Sequence, residues 1–399
     1  MDGSQTWVDV PDGSDFPVHN LPFGVFEARG DLARVGAALG EYVLDLSWLD
    51  LPHREDFEHP SLNRFLARGP DHWAAVRARL TELVTDPDHR PQVEPHLVPL
   101  AEATLRLPFE VADYVDFYSS EHHASNVGRI FRPDSEPLTP NWRHQPIGYH
   151  GRAGTVVVSG TPIVRPCGQR REPSGGPSYG PERRLDIEAE VGFVVGVGTE
   201  VGTRVGVDDF ARHVFGVVLL NDWSAREIQS WEYVPLGPFL GKSFATSISP
   251  WVVPLAALDQ ARVPGPPQSP EPLAYLRRGE PYGLDIDLSV EWNGTVVSRP
   301  PFGQMYWTAA QQLAHLTVNG AALRTGDLFA SGTVSGPERD QRGCFLELSW
   351  NGAEPVTLAD GSTRTFLSDG DRVTIRGSAP AGPGRIGFGE LTGVISAAV

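Results

Sequence analysis

Cysteine and lysine are the scarce residues of this 399-residue chain: Cys occurs only at 167 and 344, and the 33 basic residues include a single Lys, Lys242. Two cysteines far apart in sequence cannot build a disulfide framework or a thiolate zinc site, so a reducing compartment is expected. No stretch approaches the roughly 18 apolar residues of a membrane span. The opening MDGSQTWVDVPDGSDF has neither the basic region nor the apolar run of a targeting segment, which leads us to expect a cytoplasmic protein with no membrane partner. Positive charge is also short. The 33 basic residues face 50 acidic ones, a net charge of -17, and such a chain is a poor match for a polyanion, which argues against nucleic acid as a partner. No βαβ alternation is present, which disfavours a doubly wound nucleotide-binding fold.

What is present describes a globular protein with a sizeable core: 40% hydrophobic and 21% charged residues, over a length that suggests two domains. Gly (43) and Pro (36) make up about a fifth of the chain, which favours short strands and tight turns over long helices. Between Leu21 and Leu51, three short apolar runs predict a small meander of strands. Ser61 is placed to cap a helix over LNRFLAR, and Trp73, Val76, Leu80, Leu83 and Val84 recur at helical spacing. Asp86 to Leu107, rich in Pro and Asp, reads as a linker, and we place a domain boundary near residue 108, giving domains 1–108 and 109–399. Beyond it a helix is expected after Ser119 or Ser120. Strands then dominate, among them GTVVVSG, TPIVRP, RRLDIEAEVGFVVGV and VFGVVLLND. Asn293-Gly294 is the strongest hairpin signal. Thr308 to Val318 reads as one amphipathic helix ended by Asn319-Gly320, and two further hairpin-like pairs close the chain. The fold class expected is mainly β.

In LDIEAEVGFVV the residues Asp186, Glu188 and Glu190 alternate with apolar ones, so a strand would carry these carboxylates on one face, about 6.6 Å apart. A solvated face would look the same. Asp222 ends an apolar strand and Asp116 lies in YVDFYSS; carboxylates converging without Cys or paired His suggest an oxygen-only site suited to Mg²⁺ or Ca²⁺. After Asp222, Ser224 and Glu227 have the spacing of a capping box, and on the helix that follows Arg226, Gln229 and Tyr233 share a face. A compositional bias towards Arg makes Lys242 an exception that an ammonium in a confined site would explain. His122 and His123 are both candidate bases, with Tyr118, Arg132 and Tyr149 nearby in sequence to hold a carboxylate substrate. Glu347, in the apolar strand expected over FLELSW, is a candidate orienting carboxylate or equally the polar face of a hairpin.

DFPVHNLPFGVF, DYVDFYSSEHHASNVGRIFR, PNWRHQPIGYHGRAGTVVVSGTPI, LDIEAE, LNDWSAREIQSWEYVPLGPFLGKSFATSISPWVVP, GDLFASGTVSG and LELSWNG, in this order, resemble the fumarylacetoacetate hydrolase family over almost the whole chain. The resemblance implies hydrolysis of a carbon–carbon bond in a β-diketo acid, 4-fumarylacetoacetate, to fumarate and acetoacetate, the last step of tyrosine and phenylalanine breakdown. It also implies an N-terminal SH3-like barrel, a C-terminal mixed β-sandwich roll and a homodimer. Carried over by position, the Ca²⁺ ligands are Asp116, Glu188, Glu190 and Asp222, and the Mg²⁺ position involves Asp222, Lys242 and Thr246. The base is His123, which separates it from His122, and its partner is Glu347. Substrate contacts fall on Tyr118, Arg132, Tyr149, Gln229, Tyr233 and Thr333, while Arg226, Gln229 and Lys242 face the developing oxyanion. The Pro-rich stretch 263–281 and the turn Ser335 to Gly343 receive no role. A related acylpyruvate hydrolase or decarboxylase would share the carboxylates and oxyanion groups. A Ca²⁺-dependent scaffold would explain the carboxylates alone.

Overall fold

In VFGVVLLND no polar residue occurs before Asn221, the pattern of a strand covered on both faces. The computed structural model describes residues 5–28, 30–277, 283–382 and 384–399, and it buries all nine residues of Val214–Asp222. Val217 and Leu219 enter one apolar core, whereas Phe215, Val218 and Leu220 enter another. The two-residue period of a strand separates Val217 and Leu219 from Val218 and Leu220, and a register shift opposite Val194 and Val195 turns Phe215 to the side of the latter pair, so this strand is the wall between the cores.

The second core is built mostly by the N-terminal part. β1 (Phe23–Glu27), β2 (Arg34–Leu39) and β3 (Tyr42–Asp45) form the expected antiparallel meander, and α1 (Asn63–Leu66) and α2 (Pro70–Thr85) follow. Trp73, Val76, Leu80, Leu83 and Val84 of α2 are all buried, as their spacing predicts. α1 is shorter than expected. Its N-cap is Leu62, without a side-chain cap bond, and Ser61 Oγ only accepts the Asn63 N–H at 3.3 Å.

The segment 86–107 is not a linker. It makes helical turns at Pro87–His89, Arg90–Val93 and Glu94–His96, then β4 (Leu97–Pro99) and β5 (Thr104–Arg106), which pair with β3 and β1. Pro87, Pro91 and Pro95 sit at the first or second position of these helical turns, where a fixed φ and a missing N–H are tolerated, so composition alone mimicked a linker. No closed barrel is formed among the described strands. β1 gives its second half to β5 and its first half to a strand of the larger sheet, and the N-terminal strands remain an open set continuous with the rest.

That larger sheet contains β6 (Tyr114–Phe117), β7 (Ala189–Val195), β8 (Val214–Asp222), β9 (Thr246–Ile248), β10 (Trp251–Pro254) and β11 (Leu328–Ala330). Its order is β4-β3-β2-β1-β10-β8-β7-β11-β6, with β9 beside β8. Parallel pairing of β11 with β6, among antiparallel neighbours, makes it a mixed sheet. A second sheet of five strands, running from Thr295–Ser298 to Ile163–Val164, covers the other face of β8. Where the two meet, a Cβ on Gly377 would lie 2.8 Å from the Leu219 side chain, so only hydrogen fits there. Asn293 and Gly294 turn their hairpin with φ of 48° and 80°, and the helix Ala309–Thr317 carries a Thr308/Gln311 capping box. Residues 1–4 of the N-terminal stretch and 278–281 of the Pro-rich stretch lie outside the described residues.

Phe215 lies where the two parts meet: its ring is 5.3 Å from Phe65, 5.6 Å from Phe23 and 5.2 Å from Trp73, all edge-on. Phe215→Ala is therefore expected to cost about 3 to 5 kcal/mol. Urea unfolding should show a single transition that shifts as one. A second, unshifted transition would mean that the N-terminal core stands by itself.

Candidate active site

Asp116 in β6, Glu188 just before β7, Glu190 within β7 and Asp222 at the end of β8 are all buried, and one ligand oxygen from each lies within 4.8 Å of the others. Glu188 and Glu190 converge as their i, i+2 spacing requires. Asn221 pairs with Ala189 across the strands, and its Oδ1 accepts the Glu188 N–H at 3.2 Å, tying the start of β7 to the end of β8. Asp186 goes elsewhere, because the strand breaks between 186 and 189. Its carboxylate accepts from Arg226 Nε at 2.8 Å and from the backbone N–H groups of Phe345 and Leu346.

Four carboxylates this close need compensating charge. Lys242 Nζ is 2.5 Å from Glu188 Oε2 and 2.7 Å from Asp222 Oδ2, and Arg226 Nη1 donates to Glu188 Oε1 at 2.8 Å. Tyr149 OH donates to Asp222 Oδ2 at 2.8 Å, Thr246 Oγ1 to Asp222 Oδ1 at 3.3 Å, and the Gly332 N–H to Glu190 Oε2 at 3.0 Å. Burial raises the Glu188 pKa, but the Lys242 and Arg226 charges outweigh it and hold the carboxyl low. For Asp116 and Glu190 the Lys242 charge is outweighed: burial and the neighbouring carboxylates push both well up, and Asp116 Oδ1 and Glu190 Oε1 receive no protein donor. Two orphaned buried acceptors in an all-oxygen group fit a hard divalent cation. Lys242 does not fit as a ligand of that cation. Burial lowers its pKa, but Asp222 and Glu188 raise it further, and an ammonium has no lone pair to offer. It acts on the carboxylates as a charge partner.

His123 lies in the first turn of α3 (Glu121–Phe131), where Ser120 Oγ caps the helix by accepting the His123 N–H at 3.2 Å. Its Nδ1 is 2.6 Å from Glu347 Oε2, and both side chains are buried. Glu347 is on a short helix, Phe345–Leu348, and not on the strand expected over FLELSW. The Asp186 carboxylate accepts two free N–H groups at that helix start, which stabilises a turn that local alternation cannot reveal. Glu347 also accepts from Asn126 Nδ2 at 2.9 Å, Ser335 Oγ at 2.9 Å and Cys344 Sγ at 3.1 Å. Burial would raise its pKa, but the His123 charge and the bonds from His123, Asn126 and Cys344 prevail, and the pKa falls to about 2. With Nδ1 donating to a carboxylate, Nε2 is the nitrogen left to take a proton. His122 is half-buried and does not line the cavity described next.

A cavity of about 580 Å³ joins the two groups. Asp116, Tyr118, His123, Arg132, Tyr149, Glu188, Arg226, Gln229, Tyr233, Lys242 and Thr333 all line it, while Glu190, Asp222, Thr246 and Glu347 lie behind these. Val127, Phe131, Ile147 and Leu346 add apolar wall. Arg226 Nη2 and Thr333 Oγ1 are buried without protein partners, and Arg132 is exposed, donating to the Pro137 carbonyl at 2.9 Å. The helix Arg226–Glu232 presents Arg226 and Gln229, with Tyr233 as its C-cap, to the cavity as their spacing predicts. Its start is not the expected capping box. Ala225 is the N-cap, Ser224 Oγ donates to the Asp222 carbonyl, and Glu227 pairs with Arg183. The free N–H groups of Glu227 and Ile228 are taken instead by Glu182, which no local pattern marks. Asn126, Ser335 and Cys344 were also missed; only Asn126, one helical turn from His123, had a spacing that could have indicated it.

Residues 19–108 match the family described as Fumarylacetoacetase N-terminal, and residues 113–396 match Fumarylacetoacetate (FAA) hydrolase C-terminal. Fumarylacetoacetase of Homo sapiens is 48% identical over 411 residues, 98% of this chain and 98% of the relative. Those of Caenorhabditis elegans and Arabidopsis thaliana are 46% and 44% identical over 98% of this chain, and over 99% and 98% of their own lengths. Among solved structures, fumarylacetoacetate hydrolase from psychrophilic Exiguobacterium antarcticum has a TM-score of 0.57 at 17% identity, covering 94% of this chain and 99% of that one. Maleylpyruvate hydrolase from Sphingobium sp. SYK-6, in complex with manganese(II) ion and pyruvate, has a TM-score of 0.53 at 14% identity, covering 95% and 100%. The two structures share the fold.

Proposed function

The chain belongs to the fumarylacetoacetate hydrolase family, and from that premise we infer that it hydrolyses the carbon–carbon bond of 4-fumarylacetoacetate to fumarate and acetoacetate, in the breakdown of tyrosine and phenylalanine. The observation that carries this reading is that a buried His–carboxylate pair and a four-carboxylate group open on one cavity. His123 Nε2 takes a proton from water as the hydroxyl adds to the ketone carbonyl of the fumaryl group, and Glu347 holds the imidazole in the tautomer this needs. Lys242, the unpartnered Nη2 of Arg226 and Gln229 stabilise the oxyanion. Collapse breaks the bond between that carbon and the acetoacetate carbon. The imidazolium of His123 returns its proton to the leaving enolate. Tyr118, Arg132, Tyr149, Tyr233 and Thr333 hold the substrate, with Arg132 at the exposed end suited to a carboxylate. Asp116, Glu188, Glu190 and Asp222 would hold Mg²⁺ or Ca²⁺, with Lys242 and Thr246 bonded to Asp222; such an ion supplies Lewis-acid polarisation of the β-diketone oxygens.

In the same reading residues 1–108 are an SH3-like N-terminal domain and residues 109–399 the catalytic sandwich roll, a division supported by family matches that meet between 108 and 113. The working form is a cytoplasmic homodimer, as the family resemblance implies. Among the described residues no helix is long and apolar enough to cross a membrane.

Loss of ultraviolet absorbance by the β-diketone reads the reaction directly. Exhaustive chelation is expected to abolish turnover and Mg²⁺ or Ca²⁺ to restore it, while Glu188→Gln with Glu190→Gln lowers metal content and turnover together. Near-wild-type activity in the metal-free chain would overturn the cation's role. Inactivity of the loaded chain on this substrate would overturn the function.

A further inference from the structure

An imidazole that takes a proton in each turnover needs its carboxylate partner to stay ionised and to stay in plane. We propose that Asn126 and Ser335 are positioning residues that meet this need, acting through Glu347 and not on the substrate; the proposal rests on the reading of His123 as base. The two Glu347 oxygens are held separately. Oε1 accepts from Asn126 Nδ2 at 2.9 Å, and Oε2 accepts from His123 Nδ1 at 2.6 Å and Ser335 Oγ at 2.9 Å. Asn126 and His123 are three residues apart on one helix, so a single helical face grips both ends of the carboxylate and prevents its rotation.

Ser335 closes a ring. Its Oγ accepts the Gly343 N–H at 3.1 Å, which commits its one proton to Glu347. Its carbonyl accepts from Ser120 Oγ at 3.1 Å, and Ser120 Oγ in turn accepts the backbone N–H of His123. The ring Ser120, Ser335, Glu347, His123 thus ties the base to its orienting group through both its ring and its backbone. Neither Asn126 nor Ser335 lines the cavity.

The test is steady-state kinetics of Asn126→Asp, Asn126→Ala and Ser335→Ala in the metal-loaded enzyme, with Glu347→Gln as reference and circular dichroism and metal content measured alongside. Asn126→Asp keeps the shape of the side chain but exchanges the donor for a like charge beside Glu347. It is expected to lose about 10- to 100-fold in kcat with KM nearly unchanged, and to be worse than Asn126→Ala. Ser335→Ala should lose kcat over the same range, and Ser335→Cys, which restores a donor, should recover part of it. If side-chain volume alone mattered, Asn126→Asp would match the wild type and Asn126→Ala would be the poorer variant, which would overturn the proposal. Should Ser335→Ala not fold, the half-buried Asn126 decides the matter by its Asp and Ala order. Wild-type turnover in Glu347→Gln would sink the reading of the His123–Glu347 pair itself. Loss there with full activity in Asn126→Asp and Ser335→Ala would leave that reading standing and this proposal refuted.

Discussion

His123→Ala is expected to give a folded, metal-loaded protein whose turnover is lower by about two to four orders of magnitude, the usual contribution of a positioned general base. The geometry makes the loss specific to that residue. Its Nδ1 is committed to Glu347 at 2.6 Å and the ring lines the cavity, edge-on to Tyr118 with centroids 5.2 Å apart. His122, the next residue, is about 100° away around the helix and does not line the cavity, so His122→Ala should stay near wild type. KM should change little in His123→Ala, because the substrate-holding groups on the cavity wall are untouched. Paired kinetics on the two alanine variants check this. A silent His123→Ala beside a dead His122→Ala would reassign the base and with it the role of Glu347.

Lys242→Arg should be almost as damaging as Lys242→Met, although every other basic residue of the chain is Arg. The Lys242 ammonium is buried between Glu188 and Asp222, within 2.7 Å of both. A guanidinium is planar and larger, and it spreads its charge over three nitrogens, so it cannot make two such short contacts from the same stem. Nor can the backbone withdraw to make room, since a Cβ on the adjacent Gly241 would already lie 2.8 Å from Gln229. Loss of one donor facing an oxyanion typically costs about 10² to 10³ in turnover, roughly 3 to 4 kcal/mol. Lys242→Met carries a second penalty, because Glu188 and Asp222 are left buried with one positive charge fewer; breaking a buried pair costs about 3 to 5 kcal/mol of stability. Kinetics, metal analysis and thermal unfolding together separate these effects. A folded, metal-loaded Arg variant with wild-type turnover would show that the lone Lys is an accident of composition.

The parts legible from the residues alone were those governed by short spacing. Glu188 and Glu190 converge because strands repeat every two residues, and Arg226, Gln229 and Tyr233 reach one cavity because helices bring i, i+3 and i+7 together. The α2 stripe and the Asn293-Gly294 hairpin belong to the same class. Each depends on backbone geometry over fewer than about a dozen residues, which composition does not disturb.

Three of the failures involved a partner far along the chain. FLELSW alternates like a strand but folds as a helical turn because Asp186, 159 residues away, accepts the Phe345 N–H. Ser224 and Glu227 have the spacing of a cap, yet Glu182 takes the free N–H groups of that helix. The segment 86–107 has a linker's composition but becomes strands because β1 and β3 offer it open edges. His123 and Glu347 are 224 residues apart, and only the long family resemblance could pair them in advance. Periodicity thus settled the faces that carry Glu188 and Glu190, Arg226 and the apolar stripes. Tertiary packing decided which helix starts are capped, which edges are paired and which two groups share a proton, since each of these needs a hydrogen-bond partner that no local pattern contains.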